Sequence, residues 1–510
     1  MLLPPPRRPG LTIWQVLLLG IYLPLSCMLA VYGIHRVAML VGYVRHRRRN
    51  PEPAGSFESW PSVLVQIPVY NERAVVERVL HAVESLDYPR DRLRIQVLDD
   101  SSDETVGISA RACESLRSRG FDAEHVRRGT RDGFKAGALA HGLARDASEL
   151  VAIFDADFIP RPDFLKRTVP FFVDPKIGLV QARWEHLNLA RNLLTRLQTY
   201  FLDGHFIIEH TYRHRTGRIF NFNGTAGIWR RTCIDDAGGW SSWSITEDTE
   251  ISFRAHLKGW RFVYLRDVTC PAEVPADVDA FKSQQHRWAK GYTEILREHA
   301  GLIWNAKLSF KAKVEATLML SNHFAFLILG ALTILHLPVV LVRGAFLPTP
   351  LHTFLDAFNL ALLLTAFVAF YGLSQYEAGR LTLRRALLMP LAIGLGMALT
   401  VNSSRAVLEA LFRVKTGFVR TPKEGDGRVR AYKAHGALGQ AAVEIAFGLY
   451  LLASGVILVV RGNVVGTILT FIVSGGFLLL GTGTVQNLWS RRRARLEGEA
   501  APALAEASGS

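Results

Sequence analysis

The chain has 510 residues, 49% of them hydrophobic and 21% charged, with 60 Lys and Arg against 45 Asp and Glu for a formal net charge of +15. That composition excludes a disordered or low-complexity chain. Four scattered cysteines (Cys27, Cys113, Cys233, Cys270), with no CxxC or CxxH spacing, argue against a disulfide scaffold and a thiol-ligated zinc site.

In chain order, the first feature is a run without charge between Arg8 and Arg36. Comparable runs lie between Glu315 and Arg343, Asp356 and Glu377, Arg385 and Arg405, and Arg461 and Arg491. A shorter one, Ile445 to Val460, reaches back through Ala441 if Glu444 faces a helix bundle. A bilayer helix needs about 20 mostly apolar residues, and soluble cores rarely supply so many such runs. An integral, multi-pass membrane protein is expected, in an inner or plasma membrane. Arg45, His46, Arg47, Arg48 and Arg49 follow the first run as a stop-transfer flank, not as a signal-cleavage site. By the positive-inside rule the residues after it are cytoplasmic and the N-terminus is outside.

The run after Arg385 contains Pro390, Gly394 and Gly396, which loosen a helix. It is followed by Arg405, Arg413, Lys415, Arg420, Lys423, Arg428, Arg430 and Lys433. Residues 386–404 are therefore expected to lie at the cytoplasmic interface, leaving five crossings with the C-terminus inside. The expected organisation is 1–49 (first helix and basic flank), 50–312 (cytoplasmic domain), 313–375 (helix pair), 376–437 (interfacial helix and basic loop), 438–490 (helix pair) and 491–510 (tail). The positive charge fits cytoplasmic collars facing anionic lipid headgroups. No basic-aromatic stripe stands apart from those collars, so nucleic acid is not an expected partner.

Within 50–312 the pattern changes. Residues 62–68 read as a buried strand, 74–86 as a helix with one apolar stripe, and 93–98 as a second strand ending on Asp99 and Asp100. A helix over about 104–118, a short strand near His125, a helix over about 133–146 and a strand over 150–154 follow. Alternating strands and helices predict an α/β domain with a mostly parallel, doubly wound sheet, whose ligands bind at the carboxyl ends of the strands.

Three strands end on polar groups: Asn71 and Glu72, Asp99 and Asp100, Asp155 and Asp157. Asp103 and Asp163 read as helix caps or turn formers. Clustered carboxylates with no opposite charge beside them in sequence are costly unless a cation is shared. Oxygen ligation by one or two carboxylates plus substrate phosphates suits Mg2+ or Mn2+. With no GxxxxGK[ST] and no GxGxxG, the P-loop and dinucleotide-binding readings lose.

The segments QIPVYNE (66–72), VLDDSSDET (97–105), RDGFKAGAL (131–139), FDADF (154–158), FNGTAG (222–227), TEDTE (246–250) and QQHRW (284–288) carry a resemblance. In order and spacing they resemble the membrane family-2 glycosyltransferases, in particular the cellulose-synthase-like group with mannan and glucomannan synthases. The resemblance covers roughly residues 60–425 and implies a GT-A-like catalytic domain inserted in an all-α transmembrane region. It implies a single inverting displacement, in which an acceptor hydroxyl attacks the anomeric carbon of a nucleotide-sugar. Asp248 would be the general base, with Glu247 and Glu250 raising its pKa. Asp155 and Asp157 would hold the metal ion. Tyr70, Glu72, Asp99, Asp100, Lys135 and Asp155 would line the nucleotide-sugar slot. Gln284, Arg287 and Trp288 form the QxxRW block, Arg287 meeting the leaving diphosphate and Trp288 stacking on a sugar. Gly224, Glu247 and Trp288 would face the acceptor, and Trp184, Trp229, Trp240, Trp243 and Trp260 would line its path, whereas His286 reads as packing. Residues 418–423 resemble a gating loop, departing at Arg420 and Pro422, with Thr421 and Lys423 reaching the diphosphate.

The expected function is processive elongation of a β-linked polysaccharide coupled to export, from UDP-glucose or GDP-mannose onto a glycan or lipid acceptor. The alternatives are a single-addition glycolipid glucosyltransferase and, more remotely, a transporter or channel with a nucleotide-sensing domain. Oligomeric state is not legible in the chain.

Overall fold

The structure is a computed structural model describing residues 12–346, 358, 361–362, 364–414 and 437–507. It comprises two units: Met39–Ser321 with Leu408–Tyr432, and Met1–Ala38 with Asn322–Val407 and Lys433–Ser510. After α1 (Ile13–His46), the apolar runs of the first unit form β1 (Val63–Val69), β2 (Leu93–Asp99), β3 (Asp122–Val126) and β4 (Leu150–Ile153). Between them lie α2 (Val76–Glu84), α3 (Thr105–Ser118) and α4 (Phe134–Leu143). β1 is buried along nearly its whole length, as expected of a central parallel strand covered on both faces. Pro68 is tolerated because β4 pairs only Val63–Gln66, so the proline lies beyond that ladder.

Among the described residues, β5 (Ile177–His186), β6 (Gly227–Arg230) and β7 (Arg261–Ala272) extend the sheet to seven strands, ordered β3-β2-β1-β4-β6-β5-β7. β6 runs antiparallel to both β4 and β5, and the other pairings are parallel. This reversal matters for the site. Ile153 pairs with Gly227, so the residues just before β6 lie beside those just after β4. Side-chain alternation builds a core on each face: Val63, Val65, Ile67, Ile95 and Val97 on one, and Leu64, Leu98, Val151, Ile153 and Trp229 on the other. Besides two short helices, Phe164–Thr168 and Arg231–Asp236, this unit contains α5 (Leu193–Asp203), continued by a π-helical turn (Gly204–Glu209) into α6 (His210–Arg215), then α7 (Glu247–Leu257), α8 (Val278–Asn305) and α9 (Phe310–Ser321).

The second unit contains α10 (Phe324–Phe346), α11 (Phe370–Glu377), α12 (Leu383–Ala398), α13 (Thr400–Leu411), α14 (Ala437–Val460) and α15 (Val464–Ala507). Pro338 in α10 leaves the carbonyl of Ile334 without its helical donor. Tyr450 Oη supplies one at 2.8 Å and accepts from Leu337 N at 3.0 Å, satisfying backbone that lipid could not. Gly394 lies against the backbone of Ile472 and Gly476, where a Cβ would fall 2.3 Å from the Ile472 oxygen, so α12 and α15 meet through small residues. Glu444 is fully buried and accepts from Gln440 at 2.9 Å, facing the bundle as its sequence context requires.

Five helices among the described residues are long and apolar enough to cross a membrane: Ile13–His46, Phe324–Val342, Leu383–Leu411, Ala437–Val460 and Val464–Ser490. Leu383–Leu411 contains the run expected to lie flat at the interface. It is long and apolar enough to cross, and Pro390, Gly394 and Gly396 lie inside α12, where Gly394 meets α15 closely. The run at 357–376, expected to cross, lies partly outside the described residues.

Candidate active site

The strand ends of the first unit converge on one cleft lined by Tyr70, Glu72, Asp100, Lys135, Asp155, Asp157, Gly224, Glu247, Asp248, Gln284, Arg287 and Trp288. Seven separated sequence blocks therefore meet in space. Asp99 does not belong to this lining. It is buried, accepts from Ser101 N at 2.8 Å and pairs with His125 Nε2 at 2.9 Å. Burial opposes its ionisation, but the bonds from His125 and Ser101 win and hold it below the usual carboxylate range. Asp99 shapes the turn, and Asp100 is the member of the pair that lines the cleft.

Asp100 is clamped by Arg128, Nε to Oδ1 at 2.8 Å and Nη2 to Oδ2 at 2.6 Å. Arg128 also donates to the carbonyls of Asp132 and Phe134 at 2.6 and 2.7 Å, fixing the loop into α4. Beside it, Arg131 lies 3.4 Å from the Tyr70 ring centre, a cation–π contact at the cleft wall. Neither arginine was singled out from the sequence, although Arg131 opens the RDGFKAGAL block. The carboxylates have no opposite charge beside them in sequence, and the fold brings one to each of three. Asp99 meets His125, Asp100 meets Arg128, and Asp155 meets Lys135, partners supplied across the fold.

Lys135 reaches from α4 to Asp155 Oδ1 at 2.5 Å and the Gly224 carbonyl at 2.9 Å. Burial works against its charge, but Asp155 and Glu247 overcome it and raise its pKa. Thr225 Oγ1 accepts from Asp155 N at 2.9 Å, fastening the β6 entry turn to the β4 exit turn. Gly224 has φ +81°, and a Cβ there would fall 3.0 Å from Asp248 Oδ2 and 3.5 Å from Lys135 Nζ. Glycine is required twice over, by conformation and by the close approach of a carboxylate.

Asp248 occupies the first turn of α7 and accepts from Thr249 N at 2.6 Å. A helix N-terminus favours the carboxylate. Burial and the neighbouring Glu247 outweigh it and push the Asp248 carboxyl up to about 7. Glu247 is raised too, by burial, with Lys135 opposing. Glu250 contributes nothing to this pair, contrary to expectation. It is buried on the opposite side of α7, bonded twice to Arg254 at 2.7 and 2.6 Å, because helix geometry turns a residue two positions on to another face.

α8 presents Gln284, Arg287 and Trp288 to the cleft. His286 points elsewhere and pairs with Glu409 at 3.0 Å, while Lys290 donates to the Val414 carbonyl at 2.7 Å. His286 thus lies against a carboxylate and is not simple packing. Of the five tryptophans expected along an acceptor path, only Trp184 lines the cleft. Trp229 is wholly buried with Trp240 beside it, Trp243 stacks on His299, and Trp260 donates to Asp236. Thr421 and Lys423 lie outside the described residues.

For a metal, the cleft offers the carboxylates of Asp155 and Asp157, and no group of three or more His, Cys, Asp or Glu is arranged to hold an ion among the described residues. Two hard oxygen donors in a phosphate-sized cleft fit Mg2+ or Mn2+, whose remaining ligands come from substrate phosphates and water.

A mixed sheet presenting strand-end carboxylates and a TED helix defines a GT-A-type glycosyltransferase fold. A mannosyltransferase from Pyrobaculum calidifontis, solved with GDP-mannose and Mn2+, shares it with a TM-score of 0.54 and 21% identity, covering 78% of this chain and all of that one. Residues 61–291 match the family described as glycosyltransferase like family 2, and residues 230–380 match cellulose synthase. The two overlapping matches, to family 2 glycosyltransferases and to cellulose synthase, together run from residue 61 to residue 380. Probable glucomannan 4-beta-mannosyltransferase 3 of Oryza sativa subsp. japonica is 47% identical over 245 residues, 47% of this chain and 44% of that protein. Glucomannan 4-beta-mannosyltransferase 2 of Arabidopsis thaliana is 45% identical over 271 residues, 52% and 51% of the two chains. The chain spans about half the length of these curated relatives.

Proposed function

We propose that this protein transfers mannose from GDP-mannose to the non-reducing end of a β-linked glycan, with inversion at the anomeric carbon. The observation that carries the reading is Asp248, lying against the Gly224 turn near Lys135, with a carboxyl that burial and Glu247 push up to about 7. A base working near neutrality needs such a pKa. The acceptor hydroxyl oxygen forms the new bond to the anomeric carbon and its proton passes to Asp248. The bond to the diphosphate oxygen breaks with its electron pair. Lys135 and Arg287 are cations placed in advance for that leaving charge. A divalent ion held by Asp155 and Asp157 would supply further charge neutralisation when bound. Trp288 offers a flat face for a sugar ring. GDP-mannose is favoured over UDP-glucose by the mannosyltransferase names of the relatives and by the ligand of the fold neighbour.

The membrane arrangement follows from charge. With Ile13–His46, Phe324–Val342, Leu383–Leu411, Ala437–Val460 and Val464–Ser490 as the five crossings, the N-terminus is outside and the catalytic domain is cytoplasmic. Leu383–Leu411 then enters from outside and returns Arg413 through Lys433 to the cytoplasm. The cost is Arg380, Arg384 and Arg385 on the outer side, which the larger basic segment outweighs. Processive synthesis feeding export is the purpose such a design serves, because a hydrophilic glycan crosses hydrocarbon only within a lined cavity.

The test uses detergent-purified protein in nanodiscs with Mn2+ or Mg2+ and labelled GDP-mannose, UDP-glucose and UDP-N-acetylglucosamine. Label from GDP-mannose in a long-chain fraction degraded by a β-mannanase is expected. Label confined to a single-sugar lipid would sink processivity, and incorporation from UDP-glucose alone would overturn the donor.

A further inference from the structure

Asn223 lines the cleft next to Gly224, and the transfer chemistry above gives it no role. Its surroundings are unusually ordered. Asn223 N donates to Gln181 Oε1 at 3.1 Å. Its side chain lies between two histidines, with His210 Nε2 2.7 Å from Asn223 Oδ1 and His205 Nε2 3.2 Å from Asn223 Nδ2. With the Asn223 amide in this orientation, one assignment of protons satisfies both contacts. The amide oxygen must accept, so His210 donates through Nε2–H. The amide nitrogen must donate, so His205 Nε2 is the unprotonated acceptor and its proton sits on Nδ1. That Nδ1 is 3.1 Å from Glu209 Oε2, which is also ion-paired with Arg213 at 3.2 Å, and Arg213 donates in turn to Glu315 at 3.0 Å. Burial holds His210 neutral, its pKa well below the usual imidazole value. The chain thus has a single direction from a buried ion-pair cluster to the cleft wall.

The backbone explains how both histidines reach one residue. In an α-helix, with 3.6 residues per turn, positions i and i+5 diverge around the axis. The run from α5 to α6 is interrupted by the π-helical turn Gly204–Glu209, whose i→i+5 bonding stacks such positions. His205 and His210 accordingly lie with ring centres 4.3 Å apart. A regular α-helix through this segment would swing one of them away from Asn223.

We propose that His205 and His210, presented by the π-helical turn, are positioning residues that lock the Asn223–Gly224 turn in register with Asp248 and Lys135. The inference rests on the transfer reading. The turn carries the Gly224 carbonyl that receives Lys135 and the Cα that abuts Asp248, so a small rotation of it displaces both groups from the reacting atoms. Remote misplacement of this kind lowers turnover more than donor binding, because the donor contacts at Tyr70, Glu72 and Asp100 lie at the ends of β1 and β2, away from the turn.

The experiment measures kcat and KM for GDP-mannose, with thermal unfolding, in His205→Ala and His205→Gln. Loss of one such hydrogen bond predicts a fall in kcat of about tenfold in His205→Ala with KM within about twofold. Glutamine keeps an acceptor for Asn223, so His205→Gln should recover at least half of the loss. Wild-type kcat in His205→Ala overturns the inference. So does an equal loss in both variants accompanied by a matching drop in unfolding temperature, which would mark a merely structural role. Absence of transfer by the wild-type protein from any nucleotide-sugar would remove the transfer reading itself, and the inference with it, an outcome told apart by that control.

Discussion

The two walls of the cleft are both acidic, yet they treat their acids differently. On the side built by the ends of β1 and β2, Asp100 on the cleft wall is clamped by Arg128, and Asp99, buried behind it, meets His125. On the opposite wall Glu247 and Asp248 share one another and a single lysine whose nearest carboxylate is Asp155. The first wall is therefore a set of fixed charges suited to holding a ligand. The second keeps an acid whose proton can leave and return near neutral pH. Pairing makes a binding surface, and under-pairing makes a proton acceptor.

The comparison is broken most sharply by Asp248→Asn. Turnover should fall by about 10²–10⁴ while GDP-mannose affinity, measured by calorimetry, stays within about threefold of wild type. An equal loss of binding would make Asp248 a structural residue. The same variant tests the linkage. With the folded pKa raised to about 7 from an ordinary 3.8, the folded state holds more protons than the unfolded one between those values. Stability contributed at this site is therefore present at low pH and declines as pH rises through that window, the reverse of a salt-bridged carboxylate. Wild-type unfolding temperature should drop between pH 5 and pH 8 by more than that of Asp248→Asn, and activity should climb over the same interval.

Next in size is Gly224→Ala. A methyl group 3.0 Å from Asp248 Oδ2, on a backbone at φ +81°, should cost about 10² in kcat, read by the same labelled-donor assay. Full activity would show that the turn and Asp248 are not coupled. A subtler change is Lys135→Met, which removes the cation opposing the raised acids. The acid limb of the pH–rate profile should then move to higher pH, and an unmoved limb would show that Lys135 does not reach Asp248. The smallest effect belongs to the first wall. Arg128→Ala should raise the KM for donor by about tenfold and leave the pH limb where it is, since Arg128 serves Asp100 and not the proton acceptor. A shifted limb would dissolve the distinction between the walls.

Much of this was readable beforehand. The runs at 62–68, 93–98 and 150–154 became β1, β2 and β4 within a residue or two, because strands buried on both faces are continuous apolar segments with sharp polar ends. β5, β6 and β7 were not foreseen individually, and the antiparallel insertion of β6 has no signature in local pattern, since strand direction is set by the path between strands. Among the helices, the proline and glycines of 383–398 read as breaks, whereas in the fold they sit inside α12 and Gly394 forms a close contact with α15. His125, Arg128, Arg131 and Asn223 were passed over. Each sits in a loop or at a strand end, where a basic or amide residue looks like ordinary solvated surface.

The sequence by itself determined which chemistry the chain can perform: the acids, the QxxRW block and the apolar runs are local facts, and their order ties them to one family. Only the tertiary structure decided which of those acids has a basic partner and which is left with a raised pKa. Charge state depends on burial and on partners through space, and Arg128 reaches Asp100 from 28 positions away in sequence, while Gly224 meets Lys135 from 89. No composition, period or spacing along a chain encodes that distance, because it exists only once the sheet has brought the strand ends together.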